Sequence, residues 1–211
     1  MNRRLMLGAA LGAVMTAAVP LATAQEAQQA LSSESVIESI KRSGVLKVGM
    51  STFVPWAMRN TEGGLIGFEI DVASELAKDM GVEIEFVPTA WDGIIPALLA
   101  GKFDVIIGGM TITPERNLTV NFTRPYAHSS LGVMANKELA ESLTWPEGYN
   151  SSDVTFVCRR GATPCTYIGE KFPKATLRQF DDQAQTTQEV MNGNAHAVMG
   201  SQPLPAFTIY D

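Results

Sequence analysis

The sequence predicts an α/β protein of two lobes, the first built on a mainly parallel sheet. Three observations support this. Extended apolar runs and helical patterns alternate three times between Val45 and Ile107, the pattern of strands joined by helical crossovers. A turn-like break follows at Thr123-Arg124-Pro125-Tyr126. A second alternating series then runs on to Met199.

The elements follow in order. Residues 34–43 place Val36, Ile37 and Ile40 at helical spacing, and Gly44 is a helix stop. Val45 to Met50 reads as a strand, and Leu65 to Phe68 as a brief extended stretch. Ile70, Val72, Ala73, Leu76, Ala77 and Met80 make one apolar helical face ending at Gly81. Val82 to Val87 alternates as a strand. A helix starts at Asp92, runs through Leu99 and closes at Gly101. Asp104 to Ile107 is a short apolar strand broken by Gly108-Gly109.

The second series has strands at 129–135, 154–157, 176–180 and 195–199, with helices near 137–142, 164–172 and 182–191. A helical turn opens after Pro203. The lobes are expected at 25–128 and 129–211, joined near Tyr126 to Leu131, with the second incomplete at its C-terminal end.

The N-terminus points to export. Asn2-Arg3-Arg4, an apolar run from Leu5 to Ala18, and Ala22-Thr23-Ala24 form the layout of a cleaved secretory leader over residues 1–24. The apolar run falls short of the roughly 20 residues that span a bilayer. The alternative is a buried N-terminal helix. The chain carries a formal charge of −6, and the leader's own charges are both arginines, so the exported part is more acidic still. That balance argues against nucleic acid or an anionic membrane as a partner. An exported chain with an even number of cysteines favours a Cys158–Cys165 disulfide, the alternative being two buried thiols. Two cysteines do not make a zinc site alone, and His128 and His196 lie far from them in sequence. Neither metal nor cofactor is expected.

Ligands on open α/β sheets sit at the carboxyl ends of strands. The loops after Met50, Val87 and Ile107 are therefore the places to look. The densest segment is Gly108-Gly109-Met110-Thr111-Ile112-Thr113-Pro114-Glu115-Arg116. Its glycines let backbone approach a ligand, and Thr111 offers a hydroxyl and an N–H. Thr113 and Pro114 read as the cap and first residue of a helical turn. Arg116 could reach back over the strand end, where its fork fits a carboxylate. The alternative is a surface arginine paired with Glu115 or Asp104. In the second lobe Arg160-Gly161-Ala162-Thr163-Pro164 follows a strand and opens a helix. Thr163 reads as its cap, and helix-start N–H groups favour an anion. The alternative is an ordinary capped helix. Phe53, Trp56 and Trp91 sit where they could wall a pocket or pack in the core.

The chain resembles the family 3 extracellular solute-binding proteins, the periplasmic amino-acid receptors of ABC transporters. The stretches that carry the resemblance are VLKVGMSTFVPW, GLIGFEIDVASELAKDMG, WDGIIPALLAGKFDVIIGGMTITPERNLTVNFTRPY and GNAHAV. The resemblance implies the type II periplasmic-binding-protein fold, with two lobes closing on a ligand. It implies Arg116 on the ligand α-carboxylate, helped by Thr111 and the Thr163 N–H. It implies the Gly109 carbonyl on the ammonium, Phe53 and Trp91 beside the side chain, and Arg159 and Ala162 on the second lobe's face. A monomer delivering its solute to an inner-membrane ABC permease is the expected assembly, and the periplasm the expected place.

Two departures stand out. Family members carry an aspartate late in the second lobe that pairs with the ammonium, and Ser201 falls there. Carboxylate binding is therefore more secure than amino-acid binding. Family members also run on for some tens of residues beyond Asp211, so looser closure is expected of this chain. The competing readings are a periplasmic cyclohexadienyl dehydratase on the same scaffold and the sensor module of a larger receptor. Glu115, Asp181 and Asp182 read as helix-start residues rather than as the cleft acid that an elimination needs.

Overall fold

In the computed structural model, residues 35–210 are described. The expected leader at 1–24 lies outside them. The first helix, α1 (Val36–Ser43), opens on a capping box between Ser35 and Glu38 and ends at Gly44, whose φ is 72°. Strand β1 (Val45–Met50) follows, then a hairpin of β2 (Met58–Arg59) and β3 (Leu65–Ile66). Helix α2 (Phe68–Met80), β4 (Glu83–Pro88), α3 (Ile94–Leu99), β5 (Val105–Ile106) and the short α4 (Pro114–Asn117) complete the first series.

The first sheet has the order β4-β1-β5, all parallel. Central strand β1 is buried at Leu46 and from Val48 to Met50, with Lys47 exposed near its start. One face packs Leu46 and Val48 against Ala73 and Ala77 of α2. A second cluster gathers Trp91, Ile94, Ala97 and Phe103.

Segment 118–130 has no regular helix or strand and leads into the second lobe. That lobe comprises β6 (Leu131–Ala135), α5 (Lys137–Ala140), β7 (Thr155–Arg159), α6 (Thr163–Lys171), β8 (Thr176–Phe180), α7 (Gln183–Met191), β9 (Ala197–Ser201) and α8 (Leu204–Tyr210). Its sheet order is β6-β9-β7-β8, with β6 antiparallel to β9 and the rest parallel. Phe156, Ile168, Phe172 and Met199 fill its core, where the Phe156 and Phe172 rings lie 4.9 Å apart. The Cys158–Cys165 disulfide ties the end of β7 to the first turn of α6.

The element boundaries follow the expectation closely, with one addition and one correction. The extended stretch expected at Leu65 forms β3, but its pairing with β2 was not anticipated, because two-residue ladders carry too little periodicity to read. Thr163 does not cap α6: Ala162 holds the extended cap conformation and no side chain bonds the helix start.

Candidate ligand-binding site

The turn from β5 to α4 and the turn from β7 to α6 meet in the groove between the lobes. In the first, Gly109 has a φ of 65°, and a Cβ there would lie 2.8 Å from the Phe53 ring. Only glycine lets the chain turn so close to that ring. Thr113 caps α4, its hydroxyl accepting from the Arg116 N–H at 3.3 Å, with Pro114 behind it. Arg116 then folds back over the strand end. Its Nη1 donates to the Thr111 carbonyl at 2.8 Å, and its Nη2 crosses the groove to the Gly161 carbonyl at 3.0 Å. The guanidinium carbon lies 5.9 Å from the Trp91 ring centre. Burial lowers the Arg116 pKa, with Glu115 opposing. Neither Glu115 nor Asp104 forms a salt bridge with it, and the Asp104 carboxylate accepts the Lys47 N–H instead.

The second turn puts its cation on the strand end. Arg159 is 6% exposed. Its guanidinium carbon stands 4.5 Å from the Trp91 ring centre and 5.3 Å from that of Phe53. Its Nη1 reaches the Thr52 carbonyl at 3.3 Å and the Ser51 hydroxyl at 3.5 Å, both in the first lobe. Burial brings its pKa down to about 10, with Asp182 pulling up and Arg116 pulling down. Arg160 turns the other way, its Nε donating to Asp181 at 2.8 Å on the surface. Arg159 is the last residue of β7 and Arg160 the first of the turn beyond it, so the two side chains part.

Two cavities adjoin here. The narrow one, about 30 Å³, is lined by all nine residues expected at the site: Phe53, Trp91, Gly109, Thr111, Arg116, Arg159, Ala162, Thr163 and Ser201. Val54, Pro164, Gln183, Gly200 and Leu204 complete its wall. It holds little more than a water molecule. The wide one, about 480 Å³, shares Phe53, Gly109, Thr111, Thr163 and Ser201 with it and extends along segment 122–131. Trp91 serves both alternatives left open for it, being 5% exposed in the core beside Ile94 and at the cavity wall. Trp56 lines only the wide chamber, and its Nε1 donates across the groove to the Gln202 carbonyl at 3.1 Å.

One acid in the chamber wall carries no signal in the sequence. Glu69, in the first turn of α2, is 2% exposed, and its Oε2 accepts the Tyr126 hydroxyl at 2.5 Å. Burial raises the Glu69 pKa, while Tyr126 and the Gly109 backbone oppose. The Tyr126 pKa is also pushed up, chiefly by burial and by Glu69. Nothing local marks Glu69, because its partner is 57 residues away in sequence. His196, by contrast, serves the fold, and its Nδ1 accepts the Thr155 N–H at 3.1 Å.

Residues 46–198 match the family model for bacterial extracellular solute-binding proteins, family 3. ABC transporter arginine-binding protein 1 of Escherichia coli K12 is 31% identical over 150 residues, covering 71% of this chain and 60% of that protein. Cyclohexadienyl dehydratase of Pseudomonas aeruginosa is 27% identical over 167 residues, covering 79% of this chain and 62% of that enzyme. The chain therefore spans about three fifths of the length of these curated relatives. The crystal structure of an ancestral amino acid-binding protein, a precursor of cyclohexadienyl dehydratase, superposes with a TM-score of 0.80 at 40% identity, covering 83% of this chain and 78% of that one.

Proposed function

The chain belongs to the bacterial extracellular solute-binding proteins of family 3, and from that premise we propose that it captures a small carboxylate-bearing solute, an amino acid or close relative, between its lobes. Lobes at 25–128 and 129–211 close on the solute in the periplasm, and the closed monomer hands it to an ABC permease. The observation that carries this reading is the position of Arg116. Its guanidinium lies in the groove and donates to both lobes. A carboxylate entering there would exchange neutral carbonyl acceptors for charge-assisted, bidentate bonds. Such a ligand stabilises closure because only the closed form offers both halves of its site.

A thermal-shift screen of the purified protein against amino acids and organic acids tests this. A ligand at 100 times its Kd adds about 2.7 kcal/mol, roughly 5–10 °C for a chain of this size. At least one carboxylate should give such a shift, and Arg116→Ala should abolish it while still melting cooperatively. No shift with any carboxylate, or an undiminished shift in the variant, rejects the reading.

A second reading, a dehydratase, draws support from Glu69, since a buried carboxyl with a raised pKa suits general acid work. Glu69 is already engaged by Tyr126, which favours the receptor. Turnover of prephenate or arogenate that Glu69→Gln removes would reverse that preference.

A further inference from the structure

The narrow end of the groove holds more positive charge than one carboxylate can answer. Arg116 and Arg159 both line it. Arg159 forms no salt bridge among the described residues, and Asp182 attracts it only from beyond that range. Its Nη1 bonds, at 3.3 and 3.5 Å, are long, where charged N–H groups usually approach an anion to about 2.7–2.9 Å. Its Nε, buried, has no acceptor among the described residues, and the same holds for the indole N–H of Trp91, which lines the same cavity. The Trp91 and Phe53 rings offer the cation their faces, yet a ring face does not satisfy an in-plane N–H. A buried guanidinium without an anionic partner is costly. Arg116 beside it adds repulsion.

Resting on the receptor reading above, we infer that the solute carries two anionic groups, one held by Arg116 and the other by Arg159 with the Trp91 N–H. The chemical class is an acidic amino acid or a short dicarboxylic acid. Ser201, which lines both cavities, adds no negative charge to offset the two arginines.

Titration calorimetry on the purified protein tests this with L-glutamate, L-aspartate, succinate and glutarate against L-glutamine and L-lysine. At least one of the four dicarboxylates should bind roughly tenfold or more tighter than glutamine, and lysine should bind weakest. The amino-acid and plain dicarboxylate arms tell whether an ammonium is also read. Arg159→Gln should flatten the dicarboxylate-to-glutamine ratio. Arg159→Lys should restore part of it, because the charge returns without the fork. Thermal melts of both variants check that they fold. If glutamine or lysine binds tightest, the receptor reading stands and the dicarboxylate inference falls. The inference also falls if Arg159→Gln leaves the ratio unchanged. Binding of no carboxylate at all removes both.

Discussion

The two turns that meet in the groove are built alike and equipped differently. Each leads from a strand end through a positive-φ glycine, Gly109 or Gly161, into a helix. At β5–α4 the Thr113 hydroxyl occupies the helix start, and the cation arrives from the helix side as Arg116. At β7–α6 an alanine stands at the cap, no side chain bonds the amides, and the cation arrives from the strand side as Arg159. The capped turn ties the backbone N–H of its own arginine, whereas at the uncapped turn Pro164 carries no N–H and the Cys165 N–H donates to the Ala162 carbonyl at 3.0 Å.

That contrast can be broken most forcefully at Arg159. Arg159→Met replaces an unanswered buried charge with apolar volume, so the protein should gain about 1–4 kcal/mol in unfolding free energy while losing ligand affinity. Calorimetric melts and titrations together would show stability and binding moving in opposite directions; a lower melt would mean that the guanidinium supports the fold. Gly109→Ala should come next. The left-handed φ and the 2.8 Å approach to Phe53 should cost about 1–2 kcal/mol, read from urea midpoints. A matched pair at the caps sharpens the comparison further. Thr113→Ala should destabilise by about 1 kcal/mol, and Ala162→Ser should stabilise by a similar or smaller amount. The first should also weaken binding by loosening Arg116, whereas the second, whose hydroxyl can accept only from the Cys165 N–H because Pro164 has none, should leave binding unchanged.

The smallest effect is expected at Glu69 and depends on pH. Its folded pKa is raised above the ordinary 4.5, so the unfolded chain ionises first. Its contribution is complete below that ordinary value and is lost as pH rises through the folded pKa. Glu69→Gln should therefore match the parent near about pH 4 and exceed it slightly near about pH 7.5 in urea unfolding. The amide can still accept the Tyr126 hydroxyl.

Much of the groove was legible because strand-end loops, glycines and helix caps are local signals. Gly44, Gly81 and the Thr113-Pro114 pair mark their boundaries from short-range sequence alone. That Arg159 rather than Arg160 faces the groove was legible only through the family resemblance and not from local pattern, since it depends on the register of β7, whose pairing partners lie about 20 and 40 residues away. The burial of Glu69 depends likewise on Tyr126 crossing from the linking segment. Thr163 loses the cap to a backbone choice one residue earlier: Ala162 takes the extended conformation and so becomes the cap itself.

The bond from the Trp56 indole to the Gln202 carbonyl gives the molecule an optical gauge. Parting the lobes would break that bond and wet the ring, moving its fluorescence emission to the red. Trp145 packs against Tyr149 and Phe172 within the second lobe and would keep its colour, an internal standard against which any movement of the lobes could be timed.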